Sequence, residues 1–180
     1  MTVVTIEPLC SVAEPTEAGE YARFLTDIFR QTYGHGYAED RLERHIASRF
    51  GEAQQRAQLV DPARWTLRTA REGQWVGFVM VNRAAPVPRA VVAARPAEVE
   101  RFYLGAEAHG SGLAQQLLAA AVERAAREGH DALWLTVWQH NARAKRFYEK
   151  VGFVHSGMHP FEFDGVPELD DLYVLPIGMG

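Results

Sequence analysis

Trp134-Leu135-Thr136-Val137-Trp138-Gln139-His140-Asn141-Ala142-Arg143-Ala144-Lys145-Arg146-Phe147-Tyr148-Glu149-Lys150-Val151-Gly152-Phe153 reads as a strand followed by a helix. Leu133 to Val137 is a short, nearly continuous apolar run, the pattern of a buried strand. Asn141 stands where a helix N-cap belongs and Gly152 where the C-terminal cap belongs, so a helix is expected between them. On it, Asn141, Ala144 (or Lys145) and Tyr148 recur at helical spacing and share one face. An amide, a methyl and a phenol in a row suit the border of an extended ligand arm. Read singly, Asn141 is a cap and Tyr148 a core aromatic. Between His140 and Lys150, the bases Arg143, Lys145, Arg146 and Lys150 face one acid, Glu149. That local surplus fits either phosphate neutralisation or a solvated helix face.

Upstream, Val99-Glu100-Arg101-Phe102-Tyr103-Leu104-Gly105-Ala106-Glu107-Ala108-His109-Gly110-Ser111-Gly112-Leu113-Ala114 runs strand, loop, glycine turn, helix. Helix-start N–H groups are unpaired, the dipole favours negative charge there, and glycines admit an anion to the main chain. The turn is therefore either an anion site or a tight strand-to-helix connection. A Walker loop is excluded, because Ser111-Gly112 follows Gly110 where Lys and Ser or Thr are required. A dinucleotide fingerprint is excluded too, since Gln115 occupies the third small position.

These two segments together resemble the GCN5-related N-acetyltransferase (GNAT) family. Residues 98–118 resemble its acetyl-CoA motif, Arg/Gln-x-x-Gly-x-Gly/Ala, at His109, Gly112 and Ala114, with His109 departing from the usual Arg or Gln. Residues 134–153 resemble the second motif through Asn-x-x-Ala, Phe-Tyr and Gly-Phe. Val-Trp-x-x-Asn and His159-Pro160-Phe161 look closest to the PaiA-type polyamine acetyltransferases. The resemblance implies a GNAT fold of the α/β (α+β) class, a mixed sheet of about six to seven strands flanked by helices, with residues 1–180 as a single domain. It also implies an enzyme using acetyl-CoA as co-substrate and transferring acetyl to a primary amine, a small amine or polyamine, by direct attack in a ternary complex. Other readings are a protein N-terminal or lysine acetyltransferase and a coenzyme-A-binding regulatory module without turnover.

By the same resemblance Phe102, Tyr103, Leu104, His109, Gly110, Ser111, Gly112, Leu113, Ala114, Asn141, Lys145 and Phe147 border the cofactor. Tyr148 is the general acid beside the thiol sulfur, and a backbone N–H near Tyr103 or Leu104 polarises the thioester carbonyl. Glu100 shares strand parity with Phe102 and Leu104, which makes it either the base or a solvent-exposed strand glutamate. The last two strands should border the acceptor cleft and face the N-terminal helices carrying Tyr33, His35 and Tyr37. Residues 162–171 hold the acids Glu162, Asp164, Glu168, Asp170 and Asp171 and no base. Asp170 and Asp171 would then draw a cationic acceptor into the cleft, or else belong to a solvated hairpin loop.

The rest of the chain bounds the answer. Of 180 residues, 47% are hydrophobic and 23% charged, enough for a packed core and against disorder. The net charge of −4 argues against a nucleic-acid partner. Cys10 is the only cysteine, which removes a disulfide framework; on the first strand it is expected to be a buried apolar residue, not a nucleophile. No secretory start and no run of roughly 18 apolar residues is seen, so a cytoplasmic protein without a membrane partner is expected, a monomer or homodimer. No metal is expected: His155 and His159 flank Gly157 and precede Pro160, a poor context for a helical ligand pair. Elsewhere the periodicity predicts a strand at 3–9 ending at Pro8 and helices over 17–32, through Leu42, Ile46 and Phe50, and over 52–60. A hairpin follows across Glu72-Gly73, then a Pro-rich loop at 82–96, a strand at 98–104, a helix from Gly112 to Gly129, and strands near 153–163 and 172–175.

Overall fold

Tyr21, Leu25, Ile28 and Phe29 recur at helical spacing, and all are buried. They lie on α1 (Pro15–Tyr33), and the same apolar layer continues through α2 (Glu39–Arg49) and α3 (Glu52–Val60). The computed structural model describes residues 5–9, 15–72 and 74–178. Cys10 and Gly73, on which two expectations rested, lie outside them. The strands are β1 (Thr5–Leu9), β2 (Arg64–Arg71), β3 (Gln74–Asn82), β4 (Pro96–Leu104), β5 (Ala132–Trp138), β6 (Val154–Phe163) and β7 (Val166–Pro176). Helix α4 (Leu113–Arg127) precedes β5, and α5 (Ala142–Lys150) follows it.

All seven strands form one mixed sheet in the order β1-β2-β3-β4-β5-β7-β6. One face carries α1 to α3, whose Tyr21, Leu25 and Ile46 pack with Trp75, Phe78, Met80 and Phe163. The other carries α4 and α5, where Leu117, Leu118, Ala121 and Tyr148 meet Val79, Val99, Leu133 and Leu135. With both faces covered, β3 and β5 read as nearly continuous apolar runs and not as alternations.

Two irregularities shape the cleft. Among the described strands β4 and β5 are the only parallel neighbours, and they pair only from Pro96 to Glu98 against Ala132 to Trp134. Beyond Glu98 the strands part. On the other side of β4, Met80 pairs Arg101 while Val81 pairs Val99, so Glu100 is the extra residue of a β-bulge. Bulges bend a strand and are common beside active sites. This one also resets the alternation, which corrects the parity expected for Glu100.

Two strand limits differ from the sequence reading. β1 runs through Pro8, which pairs Leu67. An edge strand has a neighbour on one side only, so the missing proline N–H is tolerated. β7 begins at Val166, well before Leu172, because Asp164 and Gly165 both take positive φ and make the two-residue turn of a long hairpin. The acids of 166–171 therefore sit on a strand, with alternate side chains on opposite faces.

Candidate active site

The gap between β4 and β5 is a cleft of about 490 Å³. Its walls are Val99 to Leu104 on β4 and Leu135 to Trp138 on β5. The glycine turn closes one end with His109, Gly110, Gly112 and Ala114, and α5 forms a side with Asn141, Ala144, Phe147 and Tyr148. Tyr33 from α1 enters at the far end.

At the glycine turn, Gly110 and Gly112 take φ of +74° and +80°. These are left-handed values that side chains rarely adopt, and they turn the chain into the start of α4 with Gly110, Gly112 and Ala114 on the cleft wall. Ser111 does not line the cleft: its Oγ donates to the Ala108 carbonyl at 2.6 Å and accepts from the Leu113 N–H at 3.3 Å. Leu113 is buried against Val76 and Ala108 and anchors the helix start. Arg143 Nη1 lies 3.0 Å from His109 Nδ1, so α5 brings a guanidinium to the position where the family motif usually has its own Arg or Gln. Arg146 and Lys150 also reach the cleft wall. Lys145 does not, because its ammonium donates to Asp171 at 3.0 Å. Of the two residues left open on the helix face, Ala144 borders the cleft.

Midway, Asn141 Oδ1 accepts from the Ala144 N–H at 3.1 Å, an N-cap that still lies on the cleft wall. Tyr148 is buried; burial first, and Tyr103 beside it, raise its phenol pKa, so it holds its proton at neutral pH. Across from it, the Gly105 N–H donates to Val76 on β3 at 2.9 Å. Strand alternation then aims the N–H of Leu104, rather than that of Tyr103, away from β3 and into the cleft.

The far end is aromatic. Trp138 packs against Tyr33, Tyr37, His35 and His140, with centroid separations of 5.5, 5.4, 5.7 and 5.0 Å. Gly36 is required there, since a Cβ would overlap the Trp138 ring. Tyr33 and Tyr103 bring their hydroxyls to 3.4 Å of each other. His35 and Tyr37 stand behind Trp138 and are not on the cleft wall itself. Tyr37 donates to Glu168 at 2.5 Å, tying the loop after α1 to β7.

The acids separate by strand parity. Asp171 lies on the α5 side, where Lys145 and His155 bond its carboxylate at 3.0 and 2.9 Å. Burial opposes its charge, but those two partners hold its pKa below the usual carboxylate range. Asp171 is thus not on the acceptor side, correcting the expectation that both aspartates line one cleft. Asp164 pairs Arg44 and Glu168 pairs Arg41. Asp170 lies on the α1 side, paired across the sheet with Trp138 and His159. It is 7% exposed, and its Oδ1 has no hydrogen-bond partner. Burial first, then Glu168 and Asp171, push its pKa up to about 6.

Glu100, the expected base, accepts from Arg64 Nε at 2.8 Å. The bulge turns its carboxylate toward Arg64 and Asp61 while its chain still borders the cleft. Asp170 as the buried, unpartnered carboxylate and Trp138 as the hub of the aromatic end were not legible beforehand. The type I′ signal Asp164-Gly165 would have placed Asp170 on a strand. Among the described residues no cluster of ligating side chains suits a metal, and no helix is long and apolar enough to cross a membrane.

The family model described as the acetyltransferase (GNAT) family matches residues 22–153. The chain belongs to that family. An uncharacterized N-acetyltransferase of Mycobacterium bovis is 30% identical over 159 residues, 88% of this chain and 97% of that protein. The crystal structure of PaiA N-acetyltransferase from Thermoplasma acidophilum, in complex with coenzyme A, superposes with a TM-score of 0.76 at 18% identity, covering 97% and 99% of the two chains. The ribosomal-protein-S18-alanine N-acetyltransferase of Escherichia coli shares the fold with a TM-score of 0.61 at 20% identity, covering 99% and 96%. Family membership makes this GNAT chain an N-acetyltransferase with acetyl-CoA as its co-substrate.

Proposed function

We propose that this GNAT enzyme acetylates a small cationic amine, a polyamine or a base of similar shape, by direct attack on acetyl-CoA with no acyl-enzyme. The observation that carries the reading is the far end of the cleft, where Tyr33 and Trp138 line the wall with aromatic rings and Asp170 is a buried carboxylate on the strand next to Trp138. Aromatic faces attract a cation by about 0.5–2 kcal/mol each, and a carboxylate favours the same charge. The PaiA-type resemblance of the sequence points the same way.

The other groups fall into roles along the cleft. The Gly110–Ala114 turn receives the pyrophosphate on its N–H groups, with Arg143 and Arg146 beside it. Asn141 and Phe147 border the pantetheine arm. The Leu104 N–H polarises the thioester carbonyl, and Tyr148 protonates the departing thiolate.

The test is coenzyme A release from acetyl-CoA with spermidine, 2-phenylethylamine and a peptide starting in alanine. Spermidine is expected to give the highest kcat/KM. Preference for the peptide would make the chain a protein N-terminal acetyltransferase. No release with any acceptor would leave a coenzyme-A-binding module.

A further inference from the structure

Direct attack requires a neutral amine, yet an acceptor ammonium arrives protonated. Some group must take that proton, and Glu100 is engaged by Arg64. Asp170 is the buried carboxylate at the acceptor end with an oxygen that bonds to nothing. Nearly all buried carboxylate oxygens have partners, so an orphan one beside a substrate cleft asks for a function. The cleft-lining hydroxyls of Tyr33 and Tyr103 lie 3.4 Å apart, and burial first, with Asp170 among the further causes, raises the pKa of both. The carboxylate does not itself line the cleft; Trp138, its cross-strand neighbour, packs against the cleft-lining Tyr33.

We propose that Asp170 is the proton acceptor of the reaction, reached from the cleft through the hydroxyls of Tyr33 and Tyr103. This rests on the acetyltransferase activity and deepens the cationic-amine reading. The ammonium gives a proton to the hydroxyl pair, which passes one of its own to the Asp170 carboxylate. The neutral nitrogen then forms the C–N bond while the C–S bond breaks. Tyr148 protonates the thiolate and is reprotonated by the second nitrogen proton. Asp170 returns its proton to solvent, so one proton is released per turnover. Acting through the tyrosines, Asp170 is a positioning and proton-storing residue rather than one in contact with substrate.

The groups packed around Asp170 fit this role. Tyr33 (α1), Tyr37 (the following loop) and Tyr103 (β4) surround it as hydroxyl groups, and His159 is its cross-strand neighbour on β6. Glu168 and Asp171 flank it on β7, and both oppose its ionisation. Arg41 on α2 is held by Glu168. With a pKa pushed up to about 6, Asp170 is charged at neutral pH and more basic than an ordinary carboxylate.

Two measurements test it on the full chain. The first is the ¹³C carboxyl titration of Asp170 in the free enzyme, which needs no acceptor. A midpoint near 6 is expected, and a midpoint at or below 4 overturns the proposal. The second is the pH profile of kcat/KM with the best acceptor of the panel, spermidine or otherwise. Wild type should lose activity below pH about 6. Asp170→Asn should lose that limb and fall roughly 10²-fold at pH 7.5, with Tyr33→Phe falling less. Acetyl-CoA affinity, read by calorimetry, should hold in both, which shows that they are folded. An unchanged limb in Asp170→Asn, or a limb lost in Glu100→Gln instead, overturns the proposal. If spermidine is refused but another amine accepted, the substrate reading fails and the Asp170 test still stands.

Discussion

The two ends of the cleft are made of different material. At the glycine turn the wall is main chain at a helix start, held by Gly110 and Gly112 and flanked by Arg143 and His109. At the other end the wall is made of side chains, Tyr33 from α1, Tyr103 from β4 and Trp138 from β5, with Asp170 of β7 buried on the strand next to Trp138. A main-chain cradle tolerates exchange of most nearby side chains but not of the residues that set its φ. A side-chain cage depends on the packing of four separate elements, so damage there should alter acceptor use while leaving cofactor binding in place.

Tyr148, between the two ends, should show the largest effect. Tyr148→Phe keeps the packing and removes the donor proton, so turnover should fall roughly 10²–10⁴-fold while acetyl-CoA affinity stays within a factor of two or so. Steady-state kinetics beside calorimetry checks this. Undiminished turnover with chemistry rate-limiting would take Tyr148 out of the mechanism.

The main-chain end is broken by Gly112→Val. The positive φ disfavours any β-branched residue, and the side chain crowds the anion path, so acetyl-CoA affinity should drop roughly 10²-fold with circular dichroism unchanged. Unaltered affinity in a folded variant would place the phosphates elsewhere.

Asp170→Asn sharpens the other end through stability. Burial first, then Glu168 and Asp171, push the folded carboxyl's pKa up to about 6 from the ordinary value near 3.8, so its charge destabilises the fold at higher pH and costs nothing once protonated. The variant should therefore gain about 2 kcal/mol over wild type above pH 7, with the gain vanishing below pH 4. Urea melts at pH 8 and pH 4 decide it, and a variant less stable at pH 8 would show that the charge is compensated.

Smaller effects separate the two ends further. Gly36→Ala pushes on the Trp138 ring and should raise the acceptor KM roughly 10-fold with no change for acetyl-CoA. Arg143→Ala should do the reverse, weakening acetyl-CoA by roughly 3- to 10-fold, an effect that shrinks with added salt. A shift in both constants in either variant would mean that the ends are mechanically coupled.

Much of this protein was readable along the chain wherever the signal was local. Asn141 and Gly152 bracket α5, Gly112 and Gly129 bracket α4, and helical spacing marks Tyr21, Leu25 and Ile28. Caps, turns and periodicity act over a few residues, so residue order alone determines them. The family motifs are of the same kind, since the glycine turn and the Asn-x-x-Ala helix are each contiguous. Tertiary structure decided what depends on strands meeting from distant parts of the chain. The Glu100 bulge exists only as a mismatch between β3 and β4, and it reversed the side expected for that carboxylate. The separation of Asp170 from Asp171 follows from the β5–β7 register, which puts one beside Trp138 and the other beside Lys145. Sheet register is set by long-range burial, and a one-residue difference exchanges the two faces, so which acid serves the cleft is a property of the folded sheet.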